Sequence, residues 1–139
     1  MTQKLQPYPS AERALRALIL NLETDTPVTR ALVGGDFRYN PNTMPWYIRV
    51  DRVPGGRGGQ IQGEQAVDIE VFSRDYLVAD SLAFALDALV LGYPHVVEVD
   101  DRKVVLDRVF QNMGPADLPW EDDSVFRIGA TYSITVRRH

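Results

Sequence analysis

The chain contains no cysteine, so it can build no disulfide framework, thiolate nucleophile or thiolate metal site. Such a composition suits a reducing compartment. Histidine is nearly as scarce, with His95 and His139 alone in 139 residues. Neither has a second histidine at helical spacing, as a zinc motif would need. No Gly-x-Ser-x-Gly elbow accompanies His95 as a triad partner. The expectation is a chain that is not an enzyme, with no catalytic residue, no cofactor and no metal.

A basic excess is also missing. Fifteen Lys and Arg face nineteen Asp and Glu, a net charge of −4, and a chain so balanced does not wrap nucleic acid with a basic face. Long apolar runs are missing too. The most apolar stretch, Leu77 to Leu91, is interrupted by Asp80 and Asp87. The first residues lack an apolar signal core, so neither a membrane span nor a signal peptide is expected.

What remains is ordinary: 45% apolar and 24% charged residues, which argues against both a disordered chain and a coiled coil. A chain of this length buries roughly two-thirds of its unfolded surface and folds alone. One domain over residues 1–139 is expected.

Periodicity supplies the elements. Ser10 is a good N-cap, and Ala11, Ala14, Leu15, Leu18 and Leu22 follow at helical spacing, predicting a helix from Ser10 to Leu22. Four proline or double-glycine breaks make Glu23 to Pro45 an irregular connection, with a short strand near Asp36 to Tyr39. Trp46 to Val53 alternates, with Trp46, Ile48 and Val50 on one face and Tyr47, Arg49 and Asp51 on the other. Val67, Ile69 and Val71 alternate with Asp68 and Glu70 in a second strand, and the two read as a hairpin with an overlong tip.

A second helix begins near Asp75, buries Ala79, Leu82, Ala83, Leu86 and Val90, and stops at Gly92 and Pro94. Val96 to Val99 and Arg102 to Gln111 flank an Asp100-Asp101 turn, and the second arm, apolar on both faces, belongs inside the sheet. From Phe126 to Val136 every second residue is apolar or alanine. That strand is about 40 Å long, enough to project beyond its own domain. The expected fold is α+β: a mostly antiparallel sheet of four to five strands, two helices on one face, and a long hairpin loop.

Few motifs carry chemistry. Gly55-Gly56-Arg57-Gly58-Gly59 resembles a phosphate cradle, but it joins two strands where a phosphate loop leads into a helix and carries a lysine. Two readings stay open: a flexible hairpin tip, or a segment that orders against a partner. Asp68 and Glu70 share one strand face about 7 Å apart, as a solvated acidic face, a cation site or an acid-base pair. Trp120 and Glu121 lie between two prolines and the last strand, either as a rigid turn with Trp120 on the core edge or as a docking surface.

The order of several pieces resembles the tail terminator, or tail completion, proteins of long-tailed phages, especially those of actinobacteria. The pieces are Tyr8-Pro9-Ser10-Ala11-Glu12, Trp46-Tyr47-Ile48-Arg49-Val50, the glycine-rich loop, Val67-Asp68-Ile69-Glu70-Val71-Phe72, and the Leu/Ala-rich helix. Gly114-Pro115 and Leu118-Pro119-Trp120-Glu121-Asp122-Asp123 follow, leading into Phe126-Arg127-Ile128-Gly129-Ala130-Thr131-Tyr132. The resemblance implies a structural virion protein of the neck, assembled in the host cytoplasm as a homo-oligomeric ring, usually of six copies. Such a ring stops growth of the tail tube and joins a head-side connector or stopper protein. Genome DNA only passes through the lumen, and no membrane is involved.

On that reading Gly55, Gly56, Arg57, Gly58, Gly59, Trp120 and Glu121 meet the tube or a neighbouring subunit. Asp68 and Glu70 then face the lumen or an interface, where acidic side chains let DNA slide. The alternatives are another neck protein, a connector or stopper, and a small enzyme or nucleic-acid-binding module on a similar scaffold.

Overall fold

A computed structural model describes residues 9–24, 27–53 and 63–138. Its elements are helix α1 (Ala11–Ile19), strands β1 (Val33–Gly34), β2 (Tyr47–Arg52) and β3 (Glu64–Ser73), helix α2 (Tyr76–Leu91), and strands β4 (His95–Val99), β5 (Arg102–Leu118) and β6 (Phe126–Arg138). The strands form one sheet in the order β1-β2-β3-β6-β5-β4. The sheet is therefore mixed and six-stranded, where four to five mostly antiparallel strands were expected. The difference comes from β1, which pairs parallel to β2 through Val33 and Gly34, upstream of the short strand expected at Asp36 to Tyr39.

Both helices start as the sequence predicts. Ser10 Oγ accepts from the Arg13 amide, and Asp75 Oδ1 accepts from the Leu77 amide at 3.0 Å, satisfying donors that a helix leaves orphaned at its first turn. The start of α1 is also fastened to the sheet, since Gln65 accepts from the Ala11 amide at 2.9 Å and donates to the Pro9 carbonyl at 2.7 Å. The helix stops at Ile19, three residues earlier than predicted. There the amides of Asn21 and Leu22 turn to carbonyls only three residues back, and tight turns of this kind close a helix.

The main core lies between the helices and one sheet face. It gathers Ala14, Leu15, Ile19, Leu82 and Leu86 against Ile48, Val50, Ile69, Val71, Ile128, Ile134 and Val136. The helix-facing positions are those of the period-two pattern, because successive strand side chains alternate between faces. Tyr47 departs from it. Expected on a polar face, it is fully buried in a second cluster with Tyr39, Phe72 and Val125 on the far side of the sheet.

Two further expectations change. Strand β5 runs to Leu118, so Gly114-Pro115 lies inside a strand and not in a connection, accommodated by register irregularities from Gln111 to Ala116. These shifts are bulges, which let a strand carry residues unsuited to a regular ladder. Strand β6 does not project, because β3 pairs it from Phe126 to Thr135 and β5 from Arg127 to Arg138. The β4–β5 turn at Asp100 and Asp101 has φ of 52° and 62°, the two positive values of a hairpin turn matched to strand twist.

Candidate functional site

Several residues singled out in the sequence converge on the sheet face away from the helices. Arg49 of β2 stands directly opposite Glu70 of β3, and Glu70 opposite Gly129 of β6. Glu70 Oε1 accepts from Arg49 Nε at 3.0 Å and Nη2 at 2.6 Å, while Oε2 accepts from Arg127. Glu70 is only 4% exposed. A buried carboxylate needs charges and hydrogen bonds to match it, and two arginines supply them here. Gly129 leaves the space this needs, since a Cβ there would stand 2.6 Å from Leu118 Cδ1 and 3.4 Å from Glu70 Cγ.

The loop between β5 and β6 folds back over this charge cluster. Trp120 packs edge-on against Phe72 with ring centroids 5.0 Å apart and meets Phe37 at 4.9 Å. The Arg127 guanidinium lies 5.4 Å from the Trp120 ring centroid, and that of Arg49 lies 5.4 Å from Phe72 and 6.0 Å from Trp120. Arg127 also donates to the Pro119 carbonyl at 3.1 Å. Each arginine thus binds the carboxylate through its edge and an aromatic ring through its face, the two recognition modes a planar guanidinium offers. The loop closes on itself through Asp122, whose carboxylate accepts from the Ser124 amide and hydroxyl at 2.9 and 2.7 Å. Those bonds hold the Asp122 carboxyl below its ordinary range.

Glu70 is the buried centre of an intrachain cluster, not part of a solvated acidic face, because strand pairing sets Arg49 across from it. Asp68, two residues away on the same face, is half-buried and accepts from Thr131 Oγ1 at 2.6 Å. The two carboxylates are therefore held by different partners. Trp120 holds the loop to the sheet, and Glu121 beside it is exposed. Gly55, Gly56, Arg57, Gly58 and Gly59 lie outside the described residues.

On the helix side a second polar cluster went unpredicted. Tyr132 donates to Asp87 at 2.6 Å, and Gln111 donates to the same oxygen. Burial, then the bond to Asp87, push the Tyr132 hydroxyl well above its ordinary ionisation range. In the sequence Asp87 only interrupts the apolar run of α2, and packing turns it inward.

A cleft of about 430 Å³ between α1, β1 and the β4–β5 turn is lined by Arg13, Arg16, Arg30 and Arg38 among others. Three of the four are ion-paired, to Asp100, Glu12 and Asp36. Among the described residues no group of three or more His, Asp or Glu side chains converges as metal ligands would. Among them, too, no helix is long and apolar enough to cross a membrane.

No family model matches the chain, and no curated protein matches it. One solved structure, whose name states no function, is similar over 73% of this chain and 77% of its own, at 16% identity and a TM-score of 0.38. A superposition that loose carries no argument.

Proposed function

We propose that the chain is a tail-terminator-type subunit of a long-tailed phage. In this reading copies form a ring, usually of six, that caps the tail tube, stops its polymerisation and presents a surface to the head-side connector or stopper. Genome DNA passes through the lumen without being gripped.

One observation carries the proposal. Four of the sequence pieces on which the resemblance rests, two strands, the proline-rich piece and the last strand, come together in space. Arg49 from the first strand piece, Glu70 and Phe72 from the second, Trp120 from the proline-rich piece and Arg127 from the last make one cluster. That cluster fixes the loop carrying Glu121 at one end of the sheet, where a rigid edge can meet another protein.

The test is electron microscopy of the purified chain mixed with the tube protein of the same phage. Rings capping tube ends and halting their growth are the expected outcome. Shortening the segment 54–62 should remove capping while leaving the circular dichroism spectrum unchanged. Tubes that grow freely in the presence of the intact, folded chain would refute the reading.

A further inference from the structure

Helix α2 is apolar nearly all round. One stripe faces the core, yet the opposite stripe also carries Leu77, 74% exposed, and Phe84, 55% exposed, with the small Ser81, Ala85 and Ala88 between and beside them. A helix with two apolar faces is covered on both in its working state. One flank of the outer stripe deepens into an apolar groove of about 530 Å³ against Pro45 and Trp46.

An unlike apolar feature stands on the other side of the molecule. Phe110 of β5 is 61% exposed and pairs across the ladder with Ser133, on the sheet face turned away from both helices. Arg108 lies two residues before it on the same face and has no ion-pair partner among the described residues. Helix α2 contains no lysine or arginine, and Asp80, on the rim of its outer stripe, also lacks an ion-pair partner among the described residues.

Resting on the ring reading, we propose that the outer face of α2 in one copy receives Phe110 of the next copy, with Arg108 reaching Asp80. The apolar and charged halves then match together, the exposed Leu77 and Phe84 stripe to the ring and carboxylate to guanidinium. Because the two surfaces lie on opposite sides of one chain, a single copy cannot satisfy both. The contact is head-to-tail, and a contact of this kind makes a ring when its rotation closes.

The experiment uses the full chain and two surface variants, Leu77→Asp and Phe110→Asp, each at a side chain already mostly in water. Sedimentation velocity at about 100 µM, where a contact of roughly micromolar strength is populated, should show multi-copy assemblies for the wild type and monomers for each variant. An equimolar mixture of the two variants should form dimers and nothing larger, since one retains only the knob and the other only the seat. Asp80→Arg should weaken assembly about tenfold or more, and adding Arg108→Asp should restore it.

Assemblies that persist in both variants would overturn this contact and leave the ring reading standing. A wild type that stays monomeric at this concentration would overturn the contact as well. If that monomer also fails to cap tubes, the ring reading falls with it.

Discussion

Arg49 meets Glu70 through a single carboxylate oxygen, Nε at 3.0 Å and Nη2 at 2.6 Å, from the position directly across the β2–β3 ladder. The other oxygen belongs to Arg127. Removing the shared carboxylate strands two guanidinium groups, 19% and 24% exposed, beside each other. Glu70→Ala should therefore lose about 3 to 5 kcal/mol, the usual cost of breaking a buried pair from one side. Urea unfolding measures it, and a loss under about 1 kcal/mol would show that the cluster contributes little. Lysine at position 70 would add a third positive charge and unfold the region whatever its role in assembly, so a test of lumen charge belongs at Asp68.

The Tyr132–Asp87 bond predicts an alkaline limit. Folding raises the ionisation range of the Tyr132 hydroxyl, by burial first and Asp87 second. A raised folded value means that the stabilisation is complete below the unfolded value, about 10 for tyrosine, and is lost as pH rises beyond it. Tyr132→Phe should cost about 1 kcal/mol at neutral pH but lose stability less steeply above about pH 10. Parallel stability curves for the two proteins from about pH 8 to about pH 11 would contradict this.

Gly34 is required by space. A Cβ there would stand 2.1 Å from Arg38 Nη2 and 2.3 Å from the Tyr47 hydroxyl. Tyr47 is fully buried, and its hydroxyl is committed to the Asp36 carbonyl at 2.6 Å, so it cannot step aside freely. Gly34→Ala should destabilise by about 1 to 3 kcal/mol, as overpacking does. Thermal unfolding would show it as a lowered midpoint, and an unchanged midpoint would mean that β1 moves at no cost.

Asp101 offers the opposite sign. Its φ of 62° favours glycine, which reaches that region without steric penalty. Asp101→Gly should stabilise by a few tenths to about 1 kcal/mol. Asp100, at φ 52°, is less suitable because its carboxylate binds Arg13 at 2.6 Å. A lower midpoint for Asp101→Gly would show that its side chain contributes something its backbone does not reveal.

Trp120 binds the β5–β6 loop to the sheet through Phe72 and Phe37. Trp120→Ala should cost about 2 kcal/mol, less than for a fully buried tryptophan because the ring is half-buried. Cleavage between Pro119 and Val125 should become faster in limited proteolysis, and an unchanged cleavage rate would argue that Asp122 and Ser124 hold the loop by themselves.

The local patterns were legible in the sequence alone. Ser10 and Asp75 announced the helix starts, the residues of the buried α2 stripe were read correctly, and the period-two runs located β2, β3 and β6. These follow from forces acting over a few residues, capping and alternation, which a chain carries wherever it goes. Contacts between distant residues were not legible. That Glu70 is buried between Arg49 and Arg127, that Asp87 turns inward to Tyr132, and that β5 continues through Gly114 and Pro115 all depend on strand register and on the loop that folds back over the sheet. The outer face of α2 lies between these cases. Its lack of charge is written in the sequence, but it became a surface only once the two aspartates of the helix were placed, one turned to Tyr132 and the other on the rim. Sequence by itself determined which segments would be helix and strand; tertiary structure decided which charges are spent inside the chain and which apolar groups are left for a neighbour, because burial depends on what the rest of the fold brings alongside.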